Sequence, residues 1–148
     1  MMNSQDNKQL IMRGYQLFQA KDIQQLLTLF ADDIEWIGAE SEHIPFSHPY
    51  HGKEQVAQFF ADMDQAQEAI RFEPETFIAE GDKVVVTGQS AWLVNATGQR
   101  YESPWVHVFT VRNGKVTRLQ QYNDTAAAEA AFRPSSASRA QQGAPLHH

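Results

Sequence analysis

The chain reads as an α+β domain, with short amphipathic helices first and a curved antiparallel sheet wrapped around them afterwards. Three observations carry that reading. Apolar residues recur at helical spacing near the start and again over residues 53–66. From residue 70 onward they run in strand-length stretches. Between those stretches stands turn chemistry, as Glu80-Gly81-Asp82, Asn95-Ala96-Thr97-Gly98 and Asn113-Gly114.

The first helix is expected over residues 8–20, where Leu10, Gly14, Leu17 and Phe18 repeat at helical spacing beside Ile11. Asp22 followed by Gln25 resembles a capping box and starts a second helix carrying Ile23, Leu26, Leu27 and Phe30. Asp32-Asp33 is expected to end it, before a strand at residues 34–37. Residues 38–52 form the longest irregular stretch and hold His43, His48, His51, Phe46 and Tyr50. Long loops in small domains often serve as lids or binding loops.

A third helix over residues 53–66 places Val56, Phe59, Phe60 and Met63 on one face. Strands follow at residues 70–79, 83–94, 99–112 and 115–122. Asn113-Gly114 is the strongest hairpin signal among their turns, because both residues tolerate positive φ. A short helix over residues 125–132 closes the domain. Residues 1–133 thus form one domain, and 134–148 a tail rich in Ser, Ala and Gln.

Composition narrows the function. With 148 residues the chain is long enough for one hydrophobic core. A net charge of −6 with scattered Lys and Arg argues against nucleic acid as a partner. Cysteine is absent, so disulfides, thiolate nucleophiles and Cys-based zinc sites are excluded. No stretch has the roughly 18 apolar residues that span a bilayer, so no membrane partner is expected. The polar start lacks a signal-peptide core, which leads to the expectation of a cytoplasmic protein. His43, His48 and His51 lack the i, i+4 helical spacing of zincins, and His147-His148 is a terminal pair. Neither a metal nor any other cofactor is expected.

Several strings resemble the nuclear transport factor 2-like superfamily and, within it, the SnoaL-like group. They are Ala20-Lys21-Asp22-Ile23, Leu29-Phe30-Ala31-Asp32-Asp33-Ile34-Glu35-Trp36, Pro49-Tyr50-His51-Gly52, His107-Val108-Phe109, Asn113-Gly114-Lys115-Val116 and Tyr122-Asn123-Asp124-Thr125. The likeness covers residues 8–132. It implies a cone-shaped (cystatin-like) sheet, a hydrophobic pocket and a homodimer paired through the outer sheet face. The fold carries cyclases, isomerases, dehydratases and binding proteins, so it does not name a reaction.

Within that resemblance, ketosteroid isomerase would place its base at Gly38, its central-strand acid at Val106 and its tyrosine at Gly14. None of the three carries the required group, although Tyr15 lies one residue beyond the last. The polyketide cyclases of the SnoaL-like group use a strand histidine and a late aspartate, which fall at His107 and Asp124.

Asp124 is accordingly the candidate general base, since a carboxylate at an apolar mouth gains basicity as it loses hydration. It precedes Thr125-Ala126-Ala127-Ala128 and is equally suited to cap that helix. His107 is the candidate for polarising a substrate oxygen. Strand parity groups Tyr101, Ser103, Trp105, His107 and Phe109 on one face, with Val106 and Val108 on the other. Sequence alone leaves open which face points inward, and the ketosteroid isomerase comparison favours the Val106 face. Candidate ligand contacts are Tyr122, Tyr50, Trp36, Phe59, Phe60, Trp92 and Trp105. The expected activity is cofactor-independent acid/base chemistry of isomerase, cyclase or dehydratase type on an apolar carbonyl ligand. A non-catalytic binding protein or regulatory dimer of the same fold is the alternative.

Overall fold

The structure, a computed structural model, describes residues 3–134. Beyond Pro134, the expected tail and His147-His148 lie outside the described residues. The chain runs α1 (Ser4–Gln19), α2 (Ile23–Leu27), β1 (Phe30–Ile37), β2 (Tyr50–His51), α3 (Lys53–Ala66), β3 (Gln67–Glu80), β4 (Lys83–Val94), β5 (Arg100–Arg112), β6 (Lys115–Asn123) and α4 (Thr125–Phe132). The strands form one six-stranded sheet in the order β2-β1-β6-β5-β4-β3.

Local chemistry explains most boundaries. Helix α1 begins at Ser4, earlier than periodicity alone suggests, because Asn3 and Asp6 form a reciprocal capping box. Asp22 caps α2 by accepting from the Gln25 amide at 3.2 Å. Asn113 and Gly114 take φ of 52° and 73°, the left-handed pair that a tight two-residue hairpin requires.

Two elements differ from the sequence reading. Asp32 and Asp33 do not end a helix; they lie inside β1, which already starts at Phe30. Their side chains face solvent while Phe30, Ile34 and Trp36 turn inward. The sheet is also mixed rather than wholly antiparallel, since β1 runs parallel to β6 with Trp36 opposite Leu119. These two strands are remote in sequence, so no hairpin signal sets their relative direction.

The helices α1, α2 and α3 cover the concave face. Their contact with it forms a main core that includes Ile11, Ile34, Val56, Val86, Trp105 and Leu119. A second cluster gathers Ile44, Trp92, Val94, Tyr101, Ala128 and Ala131 under α4. Burying each large apolar side chain contributes about 1.5–3 kcal/mol. On the convex face, cross-strand neighbours Ile78, Val85 and Val108 form a row, followed by Thr76, Thr87, Val106 and Tyr122. Ile78 and Tyr122 are more than half exposed there, at 58% and 52%.

Candidate functional site

A cavity of about 150 Å³ lies between the helices and the concave sheet face. Strand β5 settles its floor. Tyr101, Ser103, Trp105, His107 and Phe109 all line it, so the His107 face points inward and the Val106 face outward. The face suggested by the ketosteroid isomerase comparison is thus the outer one. From β6, the inner face brings Leu119, Gln121 and Asn123 to the cavity.

At the heart of the cavity, His107 meets a residue that strand patterning does not reveal. The Tyr15 hydroxyl lies 2.6 Å from His107 Nδ1. Helix α1 delivers Tyr15 because Asn7, Ile11 and Tyr15, spaced four apart, form its buried stripe. Its position one residue past Gly14 was the available clue in sequence. Tyr15 and His107 each sit one residue beyond the ketosteroid isomerase tyrosine and acid positions, and the fold brings them together.

The surroundings keep both groups neutral. The rings of Trp105, Phe109 and Tyr15 surround the imidazole, with the Trp105 centroid at 4.2 Å. Part of the imidazole surface opens to the cavity, but the packed protein strips away bulk water. Burial therefore lowers the His107 pKa to about 3. The same effect raises the Tyr15 pKa well above its ordinary value. A neutral imidazole carries one donor and one acceptor. Either Tyr15 donates to Nδ1 and Nε2 carries the remaining proton, or Nδ1–H donates to the tyrosine oxygen and Nε2 accepts. Among the described residues Nε2 has no protein partner.

The other expected residues divide into two groups. Trp36, Phe59, Phe60, Trp92 and Trp105 all line the cavity. Tyr50 is buried just behind that wall, with its ring 5.2 Å from Phe59 and its hydroxyl donating to the Phe46 carbonyl at 3.1 Å. It supports the lining rather than forming it. Tyr122, expected on the ligand wall, pairs with Val106 on the convex face, because inner and outer residues alternate along β6.

Asp124 lies outside the cavity lining and is exposed. Its carboxylate accepts from the Ala127 amide at 3.0 Å and caps α4. Its own amide donates to Ser103 Oγ at 2.8 Å. The structure therefore does not bring Asp124 and His107 into one cleft. Strand β6 ends at Asn123, and the turn into α4 carries the carboxylate outward to the helix amides.

The remaining wall also carries the polar residues Ser47, His48, Gln67, Ser90, Tyr101, Ser103, Gln121 and Asn123. Ser90 Oγ donates to the Ser103 carbonyl, and Tyr101 donates to Gln67 Oε1 at 2.6 Å. The indole nitrogens of Trp36 and Trp105 are buried without a hydrogen-bond partner among the described residues. None of the described Lys, Arg, Asp or Glu residues lines the cavity. Among the described residues no group of three or more His, Asp or Glu is placed to hold a metal ion. No helix among them is long and apolar enough to cross a membrane.

A SnoaL-like domain model matches residues 11–119. Among solved structures, an NTF2-like protein from Burkholderia xenovorans LB400 is 31% identical with a TM-score of 0.82, covering 90% of this chain and 100% of that one. TerC, co-crystallised with polyporic acid, is 28% identical with a TM-score of 0.76, covering 85% and 97%. A protein from Mesorhizobium loti, provisionally named a SnoaL-like polyketide cyclase, is 25% identical with a TM-score of 0.66, covering 77% and 96%. No curated protein matches the chain.

Proposed function

This chain belongs to the SnoaL-like domain family, and from that premise we propose that it binds a neutral, ring-bearing small molecule and holds one ligand oxygen at the Tyr15–His107 pair. One observation carries the proposal: a hydrogen-bonded, uncharged Tyr15–His107 pair inside a cavity whose described lining has no Lys, Arg, Asp or Glu side chain. Bringing an ion into such a site leaves its charge without a partner, which is unfavourable by several kcal/mol. A carbonyl or hydroxyl oxygen finds a complementary group at Nε2 in one tautomer or the other. Flat aromatic walls favour a flat, apolar ligand body.

The pair polarises a bound carbonyl but provides no carboxylate base. The reading is therefore ligand binding with carbonyl polarisation, in place of proton abstraction by Asp124. Enzymatic use of the pocket, of isomerase, cyclase or dehydratase type, is the second reading. The short Tyr15–His107 contact favours it, because such a pair relays a proton by exchanging tautomers.

Titration with 4-phenylphenol tests the binding reading, because all three tryptophans of the chain (Trp36, Trp92 and Trp105) line the cavity and report on it. Saturable quenching of their fluorescence is expected. The anionic analogue 4-phenylbenzoate is expected to bind far more weakly. Tyr15→Phe and His107→Leu should each weaken 4-phenylphenol by roughly 2- to 12-fold, the worth of one net hydrogen bond. Absence of saturable quenching, or tighter binding of the carboxylate, would overturn the reading.

A further inference from the structure

Gln67 is an unexpected residue for its position. It opens β3 at the end of α3, is only 3% exposed, and lines the cavity. An amide placed there loses its water, and an apolar side chain would fill the site without that cost. The fold has nonetheless fixed the amide in place. Tyr101, itself only 8% exposed, donates its hydroxyl to Gln67 Oε1 at 2.6 Å. That bond fixes the amide plane and uses the oxygen. Among the described residues Nε2 has no partner, so its N–H groups remain to be offered to something else.

The location of this pair gives it meaning. Tyr101 belongs to the cluster beneath α4, whereas Tyr15 and Trp105 belong to the main core. The cavity joins the two clusters. Along β5, Tyr101 and His107 lie six residues apart on the same inward face, with Ser103 and Trp105 between them. An aromatic wall fills the interval: Phe72 stacks on Trp105 with centroids 4.9 Å apart and planes 7° apart, and Phe72 also meets Trp92. The cavity therefore has two neutral polar ends separated by a mostly aromatic middle, where the Ser90 hydroxyl already donates to the Ser103 carbonyl and the Ser103 hydroxyl already accepts from the Asp124 amide.

We propose that Gln67, held by Tyr101, is a second ligand anchor that selects molecules with a hydrogen-bonding oxygen at each end of a flat apolar body. This rests on the reading that Tyr15 and His107 bind the first oxygen. Gln67 is the specificity-determining group and Tyr101 the positioning residue behind it. The ligand class is thereby narrowed from ring-bearing neutral molecules to elongated aromatic or polycyclic diols, hydroxyketones and diones.

The test compares 4,4′-dihydroxybiphenyl with 4-phenylphenol, which differ only by the second hydroxyl. The wild-type protein is expected to prefer the diol by roughly 2- to 12-fold, as one added hydrogen bond allows. Gln67→Leu, close in size, should remove that preference, so that the diol and 4-phenylphenol bind the variant with equal affinity. Because burial makes the site sensitive to substitution, a second measurement uses the unmutated protein. The Gln67 side-chain amide resonance in a ¹⁵N-labelled sample should shift further with the diol than with 4-phenylphenol, whose distal ring reaches the same end without an acceptor. Equal affinities in the wild type, or an amide resonance that shifts no further with the diol, would overturn the second anchor while leaving the first intact. Failure of both compounds to bind would overturn both.

Discussion

Tyr15 of α1 and His107 of β5, 92 residues apart in the chain, share a hydrogen bond of 2.6 Å with their rings 8° from parallel. Helix and sheet meet at this contact, inside the cavity. The parallel rings bury apolar faces while the Tyr15 hydroxyl and His107 Nδ1 satisfy each other, and Nε2 is left without a partner among the described residues. The cavity thus keeps a reactive hydrogen-bonding edge at little electrostatic cost.

The lowered His107 pKa has a consequence for stability. Its folded value of about 3 lies below the ordinary 6.5 because burial disfavours the charged ring. Between those values the unfolded chain binds the extra proton and the folded one does not. The stabilisation is fully present above about pH 6.5 and is lost progressively as pH falls toward 3, with a slope approaching about 1.4 kcal/mol for each pH step of one. His107→Phe should show a flatter stability profile over that window. Carboxylates titrate in both proteins, so the difference between two urea-denaturation series isolates the histidine. Parallel profiles would show that His107 protonates normally in the folded state.

Gly88 sits on β4 opposite Trp105 of β5 and Pro74 of β3. A methyl group there would overlap the Trp105 indole and the Glu73 carbonyl. Its missing side chain lets the indole lie against the sheet and form the cavity floor. Gly88→Ala should cost about 1–3 kcal/mol by overpacking. It should also weaken ligand binding by displacing Trp105. Thermal unfolding and tryptophan fluorescence read the two effects, and an unchanged melting temperature would refute the first.

Asp124→Ala should cost about 1 kcal/mol through loss of the α4 cap. Affinity for 4-phenylphenol should remain within about twofold, because the cap carboxylate touches no cavity group; RT ln 2 is about 0.4 kcal/mol. A large loss of affinity with intact stability would return Asp124 to the site.

The two convex rows, one with Ile78, Val85 and Val108 and the next with Val106 and Tyr122, are expected to pair with a second copy of the chain. Sedimentation equilibrium should give about twice the 16.8 kDa chain mass. Val106→Asp, which leaves a charge at the centre of that face, should give the single-chain mass. A monomeric wild type at micromolar concentration would remove the dimer.

Legibility differed between local and remote features. The Asn113-Gly114 turn was readable because its positive φ values restrict which residues fit. The cap at Asp22 and the helical face of Val56, Phe59 and Phe60 were readable for similarly local reasons. Asp32-Asp33 misled, since short polar residues suit both a helix end and the exposed face of an edge-side strand. Asp124 had two local uses, and the direction of the turn after Asn123 selected the cap.

By itself, the sequence determined the α+β order, the turns, the caps and the aromatic supply of the cavity, because each follows from residues within a few positions of one another. Only the tertiary structure decided which face of β5 points inward, since alternation fixes two faces without distinguishing them. It also decided the parallel pairing of β1 with β6 and the meeting of Tyr15 with His107. Those depend on how the sheet curves around α1, which arises from packing across the whole core rather than from any local run of residues.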